Sequence, residues 1–130
     1  AGAAMDIVNA VSTLAGETPQ DITTMKVGDP AETRLPPGNT TADFMQSIVP
    51  SRGVPDAPDG FNHMDATTFY AVKPSTTVFF NVTFYNDIQP PMPTAQLFRA
   101  TINVIGRAGT VVDHRDVYMI VPAMGGVIFG

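Results

Sequence analysis

The stretch TVFFNVTFYND, Thr77–Asp87, sets Val78, Phe80, Val82 and Phe84 at every second position, with Phe79, Asn81, Thr83 and Tyr85 between them. Successive side chains of a strand point to opposite faces, so this pattern predicts a strand with one wholly apolar face and one mixed face. The same period recurs downstream. In Ala95–Gly106, Phe98, Ala100, Ile102 and Val104 alternate with Arg99, Thr101 and Asn103; in Val111–Pro122, Val117, Met119 and Val121 alternate with Asp116 and Tyr118. Thr67–Val72 and Ile22–Val27 read as shorter strands. Two segments follow a different period. Met5, Val8, Val11 and Leu14, with Ile7 and Ala15 beside them, form an apolar stripe at helical spacing that Gly16 stops. A short helix is predicted near residues 43–49, capped by Thr41 or Asp43, with Phe44, Met45, Ile48 and Val49 facing inward and Pro50 ending it.

Turn-rich runs separate these elements, GDPAETRLPPGN from Gly28 and SRGVPDAPDG from Ser51. A parallel sheet would show continuous apolar runs joined by helical crossovers, and the sequence has neither. Two stacked antiparallel sheets fit the spacing of the turn signals, which makes the chain all-β. Burying Val78, Phe80, Val82 and Phe84 contributes roughly 1.5–3 kcal/mol each. Their sum compares with the whole net stability of a small domain, about 5–15 kcal/mol, so this face is predicted to be core. Pro90, Pro91 and Pro93 form a kink that routes the chain between sheets, because proline cannot donate to a ladder. A polyproline II ligand in QPPMPT is the alternative use of the same residues.

Composition narrows the picture further. A chain of 130 residues fits one main domain, and a charged fraction of 15% with 11 Gly and 12 Pro favours many short elements joined by irregular turns. The net charge is −5 and the seven Lys and Arg are scattered, which argues against nucleic acid as a partner. Without cysteine, a disulfide framework or a thiolate zinc site is excluded. No apolar run approaches the ~20 residues that cross a bilayer, so no membrane span is expected. The amino end has neither an initiator Met nor a basic region ahead of an apolar one, which fits a processed chain or a fragment. The tail MGGVIFG is too short for an anchor and reads as a last strand or a packed tail.

The segments DFMQSIVPSRGVPDAP, FYAVKPSTTVFFNVTFYNDIQPPMPTAQLFRATINVIG and VVDHRDVYMIVP together resemble the β-rich region that follows a von Willebrand factor type A domain in some large bacterial extracellular proteins. The helix-like MDIVNAVSTLAG ahead of DITTMKV is similar to the last helix of such a type A domain and its exit. The resemblance covers most of the chain and rests on the aromatic pattern, the YNDIQPP corner and the QLFRATI strand. It implies an immunoglobulin-like antiparallel β-sandwich over residues 21–130, preceded by a helical segment over 1–20 that ends the preceding type A domain. It also implies a secreted or cell-surface module with a structural, adhesive or assembly role. The type A metal-adhesion motif, Asp-x-Ser-x-Ser, occurs nowhere in the chain, so that adhesion function does not carry over.

Candidate chemistry is sparse. The tightest polar cluster is Asp113, His114, Arg115 and Asp116; in a strand His114 and Asp116 share a face, but the sequence nominates no nucleophile or oxyanion hole beside them. A solvent-facing polar row is the simpler reading, a hydrolase fragment the sharper one. Asp56, Asp59, Asn62 and Asp65 recur every three residues in one loop, and calcium is the cofactor such oxygen ligands would take; Asp and Asn also serve turns by their own hydrogen bonds. His63 in that loop reads as a surface residue. The triplets at Asn39 and Asn81 match the glycosylation acceptor pattern, which Thr-rich strands also produce by chance. Arg99 is placed to pair with Asp113 or Asp116 across strands.

The mixed face of Thr77–Asp87 remains. Phe79 and Tyr85, with Leu97 and Ile105 if their strand is adjacent, would form an apolar surface too large to leave in water, covered in part by the leading helix and in part by a protein partner, a neighbouring domain or a second subunit. The chain is therefore read as a non-enzymatic, protein-binding module. A carbohydrate-binding module using Phe61, Tyr70 or Tyr85 as exposed aromatics is the alternative.

Overall fold

The computed structural model describes strands over residues 2–8 and 12–13 by their backbone, and residues 18–124 with their side chains. The described chain is almost entirely antiparallel β-structure: β1 (Gly2–Val8), β2 (Ser12–Thr13), β3 (Gln20–Gly28), β4 (Met45–Val54), β5 (His63–Met64), β6 (Phe69–Val72), β7 (Thr77–Tyr85), β8 (Gln96–Ile105) and β9 (Val111–Val121). In the first sheet β7 is central, with β4 along one edge and β1 and β2 sharing the other; Asn81 faces both Val49 and Val8. The second sheet has the order β5-β6-β3-β8-β9.

The two-residue period decides what lies between the sheets. Val78, Phe80 and Val82 of β7 have no exposed surface, nor do Ala100, Ile102 and Val104 of β8. One core cluster joins Phe44, Met45, Val82 and Phe84 to Phe98, Ile102, Val117 and Met119. The other joins Val78 and Phe80 to Ile22, Phe61, Phe69, Val72 and Val104. Each cluster draws on both sheets, so the apolar rows face each other across one interior.

Both predicted helices are corrected. Residues 2–8 and 12–13 are strands on the edge of β7, not part of a helix from Met5 to Leu14. The open edge of β7 supplies an antiparallel ladder, and tertiary pairing overrides a short local period. Val11, Leu14, Ala15 and Gly16 of that expectation, and residues 125–130 of the C-terminal tail, lie outside the described residues. Near 43–49 the N-cap is Thr40 rather than Thr41 or Asp43; Thr40 and Asp43 make a reciprocal capping box that holds only a single 3-10 turn, Thr41–Phe44. Met45 then enters β4 opposite Phe84. Pro50 does not end the element. It sits buried within β4, an edge strand among the described residues, where a missing N–H is tolerated, and the register shifts just after it.

Side chains secure the connections. At the YNDIQPP corner, Asn86 Oδ1 accepts from the N–H groups of Ile88 and Gln89, and Asn86 Nδ2 donates to the Gln89 carbonyl. Gln89, buried, donates to Gln96 Oε1 at 2.7 Å. The loop between β3 and the 3-10 turn is tied down by Arg34, which pairs with Glu32, donates to the Leu97 carbonyl and lies 4.3 Å over the Phe98 ring. Arg99 pairs with Asp29 at 3.3 Å rather than with Asp113 or Asp116; across the ladder it faces Tyr118.

Candidate interaction surface

The outer face of β8 and β9 is set by a ten-pair antiparallel register. Because directly opposed residues point to the same side, Leu97 stands beside Ile120, Arg99 beside Tyr118, Thr101 beside Asp116 and Asn103 beside His114. The row is divided in chemistry. At one end Leu97, Tyr118 and Ile120 are 55, 61 and 68% exposed. Met92 and Met124, also exposed, are linked by a backbone hydrogen bond just beyond the same end. Toward the other end Thr101 Oγ1 donates to Asp116 Oδ1 at 2.9 Å, and His114 stands beside Asn103.

The four residues nominated from the sequence do not form one surface. Phe79 and Tyr85 belong to β7, whereas Leu97 and Ile105 belong to β8 in the other sheet, at opposite ends of that strand. Eight residues at ~3.3 Å separate these last two by about 26 Å. Phe79 is half-buried under the Arg52 guanidinium, 4.1 Å above its ring, and Tyr85 is exposed at the end of β7. The leading segment does not lie as a helix over this face: its residues 2–8 and 12–13 pair with the edge of β7 as β1 and β2. Tyr118 and Ile120 went unnominated, although two large apolar residues on the row otherwise filled by His114 and Asp116 were the available signal.

The loop acids are occupied by the turns they build. Asp56 accepts from the Ala57 N–H, and its carbonyl accepts from Asp59 and Gly60. Asn62 Oδ1 meets His63 Nδ1 at 2.7 Å. Asp65 accepts from the N–H groups of Thr67 and Thr68 and from the Tyr70 hydroxyl at 2.6 Å. Among the described residues no three His, Cys, Asp or Glu side chains are grouped to hold a metal.

The Tyr70 hydroxyl, with the Thr67 N–H, lowers Asp65 from an ordinary 3.8 to about 2, and the same bond raises Tyr70. A carboxylate favoured in the folded state stabilises the fold above its unfolded pKa, and that contribution is lost as pH falls through the folded value. The stability difference between wild type and Asp65→Asn, measured by urea unfolding, is therefore expected to be constant above about pH 5 and to shrink between about pH 4 and pH 2. A difference independent of pH would show that the charge on Asp65 contributes nothing.

Two of the three aromatics of the carbohydrate reading are committed elsewhere. Phe61 is a core residue, 1% exposed and edge-on to Phe69, which corrects its reading as an exposed aromatic. Tyr70 is covered on one side by the stacked His63 ring, with centroids 4.5 Å apart. Of the acceptor triplets, Asn81 lies on the central strand β7, and Asn39 closes a turn by donating its N–H to the Pro36 carbonyl, two residues before Thr41, which is fully buried with its hydroxyl accepting from the Asp29 N–H. An open cleft between β3 and β4 is lined by Thr23, Thr24, Gln46, Ser47 and Thr67, and its one amine, Lys26 Nζ, donates to the Met45 carbonyl. Compared with protein-family models, with curated proteins and with solved structures, the chain matches none.

Proposed function

We propose that this chain is a non-enzymatic protein-contact module, an immunoglobulin-like sandwich of a secreted or cell-surface bacterial protein that acts in adhesion or assembly. The observation that carries the contact role is the cluster of Leu97, Tyr118 and Ile120 on the outer face of β8 and β9. Large apolar side chains standing together in water mark surfaces that other proteins cover, and aromatic residues recur at such contacts. The ladder beneath fixes their backbone, so little backbone freedom is lost on docking. The secreted, bacterial setting rests on the sequence resemblance.

A photo-crosslinking residue at position 118, introduced in the native parent protein, tests the contact role. Mass spectrometry is expected to find one defined protein segment joined there, and none joined to the same residue at position 73, an exposed site on the turn after β6. Equal, diffuse labelling at both positions would refute the reading. Ile120→Asp is expected to abolish the crosslink while changing unfolding free energy by no more than about 0.5 kcal/mol, as for a surface site.

A further inference from the structure

The strand β9 has no partner on its outer edge among the described residues, and its eleven residues offer a row of free backbone groups. The other described edges are interrupted: β4 contains Pro50 and two register shifts, β1 has a register shift between Ala4 and Val8, and β2 and β5 have only two residues each. An open edge is a template for another strand. Near the middle of β9 stand Asp113 and Arg115, on the same row as the core residues Val117, Met119 and Val121. Neither takes part in an ion pair among the described residues, where the only pairs are Arg34 with Glu32 and Arg99 with Asp29.

We infer that β9 pairs antiparallel with β9 of a second copy of this chain, about a two-fold axis through His114, so that Asp113 of each copy faces Arg115 of the other. The inference rests on the protein-contact reading and assigns that contact a partner at the sheet edge.

Symmetry restricts the registers. The axis that sets an edge strand antiparallel beside its own copy in one sheet is normal to the sheet, so every residue faces one of its own row. With the axis at Asp113 or Asp116, two carboxylates meet; with the axis at Arg115, two guanidinium groups meet. With the axis at Val117, Arg115 faces Met119. Only the axis at His114 turns the unpaired charges into two reciprocal pairs, and each chain supplies both halves. The regular ladder is then short and centred on residues 113–115, because the irregularity between Val104 and Ile105 on β8 places a bulge at Val112 near either end. So short a ladder buries far less than the ~1,600 Å² of a standard interface, which places the association among the weak, transient contacts. Charged side chains on an edge strand also serve to repel other strands. Repulsion and self-pairing make opposite demands on charge-swapped variants.

Sedimentation velocity of the full chain from about 10 µM to about 1 mM separates them. Wild type is expected to show a concentration-dependent dimer. Asp113→Arg leaves two cations on each chain and Arg115→Asp two anions, and each variant alone is expected to dimerise at least roughly tenfold more weakly. Mixed in equal amounts, the two variants face each other with opposite charges and are expected to associate as wild type does. The double exchange Asp113→Arg/Arg115→Asp restores both pairs within one chain and is expected to recover the dimer. Recovery on mixing also shows that the single variants are folded. Wild type that stays monomeric throughout, single variants that dimerise like wild type, or a mixture that fails to associate would each overturn the edge pairing. The contact role of Leu97, Tyr118 and Ile120 fails separately, by the crosslink at position 118.

Discussion

Phe69→Ala is expected to lower the unfolding free energy by about 3–5 kcal/mol, the usual cost of removing a buried phenylalanine from a core. Phe69 is fully buried at the centre of three rings, with Phe61 at 4.9 Å and Phe80 at 5.2 Å, both edge-to-face at 86°. These rings come from β6, from β7 and from the segment between β4 and β5, so the truncation opens a cavity where the two sheets meet. The cost has three parts: the hydrophobic transfer of the ring, the residual cavity and two aromatic contacts of roughly 0.5–1.5 kcal/mol each beyond their area. Against a total of about 5–15 kcal/mol, the loss removes roughly a fifth or more of the stability of a small domain. Urea unfolding should show a lower midpoint at an unchanged slope. A shift below about 1 kcal/mol would mean that Phe69 does not join the sheets. Tyr118→Ala, on the exposed face, is the control and is expected to stay within about 0.5 kcal/mol.

The second large effect is expected at Gly60, in the loop that carries Phe61 into that cluster. A β-carbon there would overlap the Pro55 carbonyl oxygen and stand 2.8 Å from Thr76 Cγ2. The first of these neighbours is backbone, so it cannot yield by a rotamer change. The backbone of Gly60 is also fully used: its N–H donates to the Asp56 carbonyl, and its carbonyl accepts from the Lys73 N–H and the buried Thr76 hydroxyl. Moving the loop aside to admit a methyl group therefore strains three hydrogen bonds as well. Gly60→Ala is expected to cost about 3 kcal/mol, the upper range for overpacking. Thermal unfolding would register this as a clear drop in midpoint, on the order of 10 °C for a chain of this size. An unchanged midpoint would show that the turn relaxes freely, and with it that Phe61 is not held by its neighbours.

Both sites illustrate what local pattern can and cannot reveal. Phe80 was legible as core, because it falls on the apolar row of a strand whose period is uninterrupted. Phe61 was not. It lies outside any regular element, in a run of Pro, Gly and Asp that reads as an exposed loop, and only the return of that loop over the sheet edge buries it. Gly60 belongs to the same case, since its tight neighbours Pro55 and Thr76 are 5 and 16 residues away. The partner of Arg99 was misplaced for a related reason: Asp29 lies 70 residues away, one step past the last pair of β3 with β8, Gly28 opposite Ala100, and nothing local in the sequence shows that these two strands are neighbours.

The candidate surface shows the same division. Leu97 was nominated correctly as outward-facing, but it was grouped with Phe79 and Tyr85 by assuming that β8 lies beside β7. Strand order is not written in any single strand, because every antiparallel edge offers the same ladder of N–H and C=O groups to any suitable neighbour. The sheet assignment puts β8 between β3 and β9, and thereby brings Ile120 and Tyr118 to Leu97 instead.

What the sequence by itself determined was the alternation over Thr77–Asp87, Ala95–Gly106 and Val111–Pro122, and hence an antiparallel β-structure whose core rows could be named residue by residue. The period of two is a property of each strand alone, so it survives whatever the strand pairs with. The tertiary structure decided the rest: that residues 2–8 extend a sheet, that Met45–Val54 continues as a strand through Pro50, and which outward rows come together. Those outcomes depend on which edges were free to pair, and an edge becomes free or occupied only once the whole chain has folded.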